Sequence, residues 1–377
     1  MSEGTKTIEV PEQRDDQACL SVHDLLKVMV SRRASDLHLK VGSPPGMRID
    51  GTIRPMQMPT MEPSEVEEMI RDVLTEEQFE RFAREGDLDC AYSVRGLSRF
   101  RVNTFKQRGT MGMVVRRIPR QVPTIEELGL PPIFKHVAGM SRGLVLVTGP
   151  TGCGKSTTLA AMVNEVNCTR PVHIVTMEDP IEFVHEDKLA YVTQREIGSD
   201  TADFASALRR ALRQDPDVLM VGEMRDLETI ALAVTAAATG HLVFATLHTT
   251  SAVQSIDRII DVFPPAQQNQ IRMQVAGALQ AVLSQTLLPR IGGGLVAAHE
   301  ILLGIDSVRS LIREAKTHQM HNIIQTASRE GLRTLEANLN ELIHKKVITY
   351  ETALVKANYP QQLDRTGRAA GRPAMVR

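Results

Sequence analysis

From residue 21 onward, apolar and polar positions fall into two rhythms. In Ser21-Val-His-Asp-Leu-Leu-Lys-Val-Met-Val the apolar residues return every three or four positions, the spacing of a half-buried helix, and Ser21 stands where a hydroxyl can cap the first free amides. Asp36-Leu-His-Leu-Lys-Val and Met47-Arg-Ile-Asp-Gly-Thr-Ile-Arg alternate with period two, which predicts strands, and Asp50-Gly51 is a hairpin signal. Helical spacing returns over 63–74 and 76–84, and strand alternation over 87–94, 99–106 and 111–118. Strands grouped together with helices set apart predict an α+β domain over 21–131. Pro119, Pro123, Pro131 and Pro132 crowd its end and mark the expected linker.

Beyond the prolines the strands lose their polar positions. Leu144-Val-Leu-Val-Thr, His173-Ile-Val-Thr-Met, Asp217-Val-Leu-Met-Val and His241-Leu-Val-Phe-Ala-Thr-Leu are continuous apolar runs separated by helical stretches. Strands buried on both faces and alternating with helices predict a parallel, doubly wound α/β sheet. Helical spacing then continues over 307–315, 317–327, 334–346 and 350–357, so the second domain is expected over 132–360. The polar, acidic residues 1–20 and the basic residues 361–377 have little to bury and are expected to be a disordered lead and tail. No internal repeat is visible.

Composition narrows the function. Of 377 residues, 44 are Lys or Arg and 45 are Asp or Glu, so the net charge is −1, which argues against a whole-chain polyanion binder. There is no Trp, and only 4 Tyr and 9 Phe, so base stacking is a poor candidate for the main activity and no nucleic acid is expected as a partner. The 4 cysteines, Cys19, Cys90, Cys153 and Cys168, form no C-x-x-C pair, which argues against a zinc site and a disulfide framework. The N-terminal stretch has no apolar core of a signal peptide, and no uncharged run reaches spanning length, so a soluble cytoplasmic chain without a transmembrane segment is expected.

The chemistry concentrates in the second domain. Gly149-Pro150-Thr151-Gly152-Cys153-Gly154-Lys155-Ser156 matches G-x-x-x-x-G-K-[ST] between an apolar strand and a helix that opens at Thr157. Its glycines let backbone amides wrap phosphate oxygens, Lys155 is placed for the β- and γ-phosphates, and Ser156 for magnesium. Asp217-Val-Leu-Met-Val-Gly-Glu223 ends an apolar strand on a carboxylate, the position that holds a magnesium shell. Met177-Glu178-Asp179-Pro180-Ile181-Glu182 adds three more carboxylates after another strand. In parallel neighbours these clusters would meet at the carboxyl edge of the sheet, where one could orient the attacking water; the plain alternative is solvated loop acids. His241 and His248 bracket one strand, either as end caps or, for His248, as a sensor of the γ-phosphate. Arg99, Arg101, Arg108, Arg116 and Arg117 on paired strands of the first domain are either a solvated face or phosphate-stabilising arginines.

The order of these motifs resembles the secretion-ATPase superfamily of ring-forming P-loop motors, and within it the type IV pilus retraction ATPases (PilT family). Ala34-Ser-Asp-Leu-His-Leu, Arg99-Phe-Arg-Val-Asn, the phosphate loop, Glu178-Asp-Pro-Ile-Glu-Phe-Val-His, Asp215-Pro-Asp-Val-Leu-Met-Val-Gly-Glu-Met-Arg-Asp and Thr239-Gly-His-Leu-Val-Phe-Ala-Thr-Leu-His-Thr-Thr-Ser carry the likeness over residues 21–363. The resemblance implies a RecA-like P-loop NTPase domain, a smaller PAS-like α+β domain before it and helices after it. It further implies ATP and Mg2+ as cofactors, Glu182 as catalytic glutamate with Glu178 as runner-up, Glu223 as the magnesium partner, and Arg101 and Arg116 as the arginines that approach nucleotide. The partners it implies are a homohexamer, an inner-membrane pilus platform protein and other pilus motor ATPases, at the cytoplasmic face of the inner membrane. Ser307-Val-Arg-Ser-Leu-Ile-Arg-Glu resembles the family's retraction signature, departing at Ser307, Val308 and Ser310. The competing readings are an assembly or type II secretion ATPase, which usually carries a longer N-terminal region and a four-cysteine insertion, an accessory retraction paralogue, and a nucleic-acid motor.

Overall fold

The first unit opens with helix α1 (Val22–Ser31), whose first turn is capped by the Ser21 hydroxyl accepting from the Asp24 amide. Strands β1 (Asp36–Lys40), β2 (Gly46–Ile49) and β3 (Thr52–Pro55) follow, then helices α2 (Pro63–Val73) and α3 (Glu76–Glu85), then strands β4 (Asp87–Val94), β5 (Ser98–Gln107) and β6 (Thr110–Ile118). They form one antiparallel sheet in the order β3-β2-β1-β6-β5-β4. One face packs on the helices, with Phe100, Val102, Val115 and Leu37 against Leu25, Met29, Ile70 and Phe82. The other face carries the polar partners of the alternation, Arg101 among them. Truncating Phe100, which is fully buried, would cost about 3–5 kcal/mol.

The second unit runs α4 (Ile133–Ala138), β7 (Gly143–Thr148), α5 (Lys155–Thr169), β8 (His173–Glu178), β9 (Tyr191–Glu196), α6 (Phe204–Ala211), β10 (Val218–Val221), α7 (Leu227–Ala238), β11 (Leu242–Leu247), α8 (Ala252–Asp261), α9 (Pro265–Ala278), β12 (Leu279–Pro289) and β13 (Leu295–Leu303). The helices α10 (Asp306–Arg313), α11 (Met320–Thr326), α12 (Leu335–His344) and α13 (Tyr350–Lys356) complete it. Its seven strands lie in the order β13-β12-β7-β11-β10-β8-β9. Every residue of β7 and β11 is buried, as expected of central strands covered on both faces.

This computed structural model describes residues 21–364 except Asp50 and Arg120. It divides into residues up to Gln121 with Glu182–Val184, and Val122–Ile181 with His185 onward. The division falls ten residues before the expected one at Pro131, because Ile125 and Leu130 are buried in the core of the second unit. The second sheet is mixed rather than wholly parallel, since β13 returns antiparallel to β12. The chain stays ordered past 361: Leu363 is buried against α12 and α13, and Asp364 pairs with His344. Residues 1–20 and most of the basic tail lie outside the described residues, as does Asp50 of the expected hairpin, although Ile49 pairs with Thr52 across it.

Candidate active site

Strand register gathers the site. Thr148, the last residue of β7, pairs with Leu247, which places Gly149 beside His248. Val221 pairs with Ala245 on one side and Met177 on the other, which sets Glu223 and Glu178 at the same carboxyl edge. Gly222 allows that approach: a Cβ there would lie 3.0 Å from the Met177 carbonyl. Bonds from the Gly222 amide to the Met177 carbonyl (2.8 Å) and from the Met224 amide to the Thr246 carbonyl (3.1 Å) then hold Glu223 in place.

The loop 149–154 is built for an anion. Gly149 has φ +144, and a Cβ there would meet the Gln285 carbonyl at 2.3 Å, so only glycine passes. Helix α5 begins at Gly154 without a side-chain cap and without an acid in its first turn, so the positive end of its dipole stays open. Lys155 is buried and its ammonium donates to the carbonyls of Gly149 (2.9 Å) and Pro150 (3.1 Å); among the described residues no carboxylate pairs with it. A buried cation left with neutral acceptors fits a phosphate. Ser156 and Thr157 follow in the first turn of α5, with Ser156 exposed. Cys153 sits at the base of the loop, where burial pushes its thiol up, so it packs rather than reacts.

Lys155, His248 and Glu223 form a chain. The Lys155 ammonium lies 3.5 Å from His248 Nδ1, and His248 Nε2 lies 2.8 Å from a Glu223 oxygen. The neutral imidazole that carries its proton on Nε2 satisfies both partners, accepting from Lys155 and donating to Glu223. Glu223 also pairs with Arg225 at 2.6 Å. Burial acts to raise its carboxyl, but the Arg225 hydrogen bond and the His248 contact outweigh that and hold it below the usual range. His241, at the other end of β11, has Nδ1 3.0 Å from the Ala236 carbonyl in the last turn of α7, a structural cap.

The two candidate bases differ sharply. Glu178 is buried, and one of its oxygens accepts from Thr176 (2.6 Å) and from Gln194 (3.0 Å). Glu182 is exposed, belongs to the first unit, and no hydrogen bond or ion pair among the described residues holds its carboxylate. In the antiparallel sheet, Arg48, Asp36, Arg116 and Arg101 form one cross-strand row. Arg116 bonds the buried Asp36 at 2.8 Å, Arg48 lies 3.6 Å from its other oxygen, and Arg101 pairs with Asp89 at 3.4 Å. Burial would raise Asp36, yet the hydrogen bonds from Arg116 and Ser35 prevail and lower it.

Arg48, Gln194, Arg225 and Gln285 escape the sequence reading. The one signal that could have raised Gln285 is a polar triplet, Ser284-Gln285-Thr286, inside an otherwise apolar strand. Among the described residues no cluster of three or more His, Cys, Asp or Glu could cage a metal. Also among the described residues, no helix is long and apolar enough to cross a membrane.

The model of the type II/IV secretion system protein family matches residues 12–371. The type IV pilus retractation ATPase PilT of Pseudomonas aeruginosa is 51% identical over 342 residues, 91% of this chain and 99% of that protein. A twitching motility protein of Neisseria gonorrhoeae is 46% identical over 320 residues, 85% of this chain and 86% of that one. A crystal structure of the pilus retraction motor PilT with bound ADP superposes with a TM-score of 0.86 at 44% identity, covering 92% of this chain and all of that one. The chain belongs to the type II/IV secretion system protein family and is a secretion ATPase of its PilT branch.

Proposed function

We propose that this chain hydrolyses Mg·ATP as one subunit of a homohexameric motor that retracts a type IV pilus and so drives twitching motility. The observation that carries the reading is the Lys155–His248–Glu223 chain at the mouth of an uncapped phosphate loop, in a chain that spans 99% of a named retraction ATPase. Lys155 would exchange its loop carbonyls for β- and γ-phosphate oxygens. His248, bonded to Lys155 on one side and Glu223 on the other, would report the γ-phosphate to Glu223. Ser156 and Glu223 would hold magnesium, which supplies positive charge to the transferring phosphoryl group. Glu182, exposed and without a partner among the described residues, would take the water's proton. Arg101 and Arg116 would stabilise phosphate charge from an N-terminal unit of the ring.

The motor's partner in this reading is a pilus platform protein at the cytoplasmic face of the inner membrane. The departures in the signature helix α10 leave its packing whole: Val308 and Ile312 are buried, and Ser310 bonds Glu314 at 2.9 Å. Deletion in the source organism, with pilus counting and surface motility, tests the reading. Excess pili that do not retract support it. Loss of pili would point instead to an assembly ATPase, and normal retraction would refute a retraction role.

A further inference from the structure

Gln285 is the least expected side chain near the phosphate loop. It lies on β12, one residue past Ser284, which pairs with Thr148 at the end of β7, so it sits beside the first residue of the loop. Its amide is buried in a strand that is otherwise mostly apolar. Both ends are used: Nε2 donates to the Cys153 carbonyl at 2.6 Å, and Oε1 accepts from the Thr158 hydroxyl at 2.9 Å. Gly154 passes directly over it, since a Cβ there would lie 3.3 Å from Nε2.

Peptide geometry gives this contact a consequence. In a planar trans peptide the carbonyl of one residue and the amide N–H of the next point in opposite directions. Holding the Cys153 carbonyl on Gln285 therefore turns the Gly154 N–H to the opposite face of the loop. Gly154 is also the cap residue of α5, at φ +87, so the same peptide sets where the helix begins. The bond to Thr158 ties the first full turn of α5 to the same amide. One side chain thus sets the pitch of the loop's last peptide against the helix that follows.

We infer that Gln285 is a positioning residue for ATP hydrolysis: it orients the Cys153–Gly154 peptide and the start of α5 so that the loop's amides converge on phosphate. The inference rests on the phosphate-loop reading above. It assigns Gln285 no contact with nucleotide; its effect passes through the loop.

The test is steady-state hydrolysis and ADP binding by the full-length chain carrying Gln285→Leu or Gln285→Glu, with melting curves for each. Leucine removes both bonds, and an interaction with a charged ligand that loses its orientation should lower kcat/KM about 10- to 100-fold and weaken ADP about tenfold. A Gln285→Leu protein that melts cooperatively and keeps wild-type kcat/KM and ADP affinity would overturn the inference. If the leucine variant does not fold, glutamate decides. A protonated carboxyl offers one O–H donor and one carbonyl acceptor in the place of the amide, whereas the carboxylate offers no donor, and burial raises its titration. The ratio of Gln285→Glu to wild-type kcat/KM should therefore climb as pH falls from about 9 to about 6. A ratio that stays flat overturns the inference. Lys155→Ala is run alongside: normal turnover in that variant sinks the phosphate-loop reading itself, while its inactivity beside a normal Gln285→Leu sinks only the positioning role.

Discussion

Replacing Glu178 and Glu182 separately by glutamine should split stability from chemistry. The bonds from Thr176 at 2.6 Å and Gln194 at 3.0 Å reach the same Glu178 oxygen, so a glutamine carbonyl oxygen can accept both. What is lost is the charge. A hydrogen bond to a charged group contributes about 1.5–3 kcal/mol and a neutral one about 0.5–1.5, so two bonds lose about 2 kcal/mol, reduced by the relief of burying a carboxylate. Glu178→Gln should thus lower the ATPase unit's stability by about 1–2 kcal/mol, a melting shift of several degrees, and keep turnover within about tenfold of wild type. Glu182 has no bond to lose among the described residues and is exposed, so Glu182→Gln should change stability by less than about 0.5 kcal/mol. Its single-turnover hydrolysis should fall about 10²- to 10⁴-fold with ADP affinity unchanged, because an amide cannot take the water's proton. Melting curves, ADP binding and single-turnover hydrolysis on both variants decide the matter. Loss of turnover in Glu178→Gln beside normal turnover in Glu182→Gln would refute the assignment of the base.

Lys155→Ala should bind nucleotide poorly and lose hydrolysis, since no other buried cation stands on the loop among the described residues; wild-type turnover would contradict the site. Arg101→Ala and Arg116→Ala should both slow hydrolysis about 10³-fold or more if they act as phosphate-stabilising arginines. They should differ in stability: Arg116→Ala strips the main partner from the buried Asp36 and should cost about 1–3 kcal/mol, whereas Arg101 leaves an exposed pair worth under about 1 kcal/mol. Turnover per subunit should also rise with protein concentration, and concentration-independent activity of a monomer would refute the shared site. Glu300 is buried, held by the Ala252 amide and near Glu336, and burial first and Glu336 second push its carboxyl from 4.5 up to about 7. The folded state therefore holds that proton more tightly, so stability is full below about pH 4.5 and about 3 kcal/mol is lost as pH rises to about 7. Glu300→Gln should melt like wild type near pH 5 and above it near pH 8; parallel curves at both pH values would show that Glu300 does not titrate this way.

How much of this was legible in the sequence follows from where each signal is stored. The phosphate loop was legible in full, because its requirements are local: glycines where the backbone must turn or pass close, a lysine and a hydroxyl at fixed offsets, and a strand and helix around them. Central strands such as β7 and β11 were legible because burial on both faces leaves a nearly continuous apolar run, with Thr148 and Thr246 their only polar residues. The strands β9, β12 and β13 were not. In β12 the triplet Ser284-Gln285-Thr286 breaks the apolar run, and Ser284 and Gln285 are satisfied there by Thr148, Thr158 and Cys153. Those partners are a tertiary fact; the local pattern shows only a polar triplet inside an apolar run. The division between units was misplaced for a related reason, since prolines mark where helix and strand cannot continue but do not say which core takes Ile125 and Leu130.

The same distinction applies to function. Sequence order names Glu178, Glu182, Glu223 and His248 as one set of candidates, and spacing cannot rank them. Register and partners can. Glu223 and His248 are bound to each other and, through His248, to the loop lysine, so in the proposed site a change at the γ-phosphate would have a hydrogen-bonded route to Glu223. Glu178 is occupied with holding β8 to β9 through Gln194, which suits a support for the acidic loop better than a base that must exchange protons with water. Glu182, unlike Glu178 and Glu223, has no hydrogen bond or ion pair to its carboxylate among the described residues. A group already committed to two buried donors cannot take up a proton without weakening the bonds that place it, and an exposed carboxylate carries no such penalty. The family resemblance ranks Glu182 first, and that asymmetry is the physical ground for proposing it as the base.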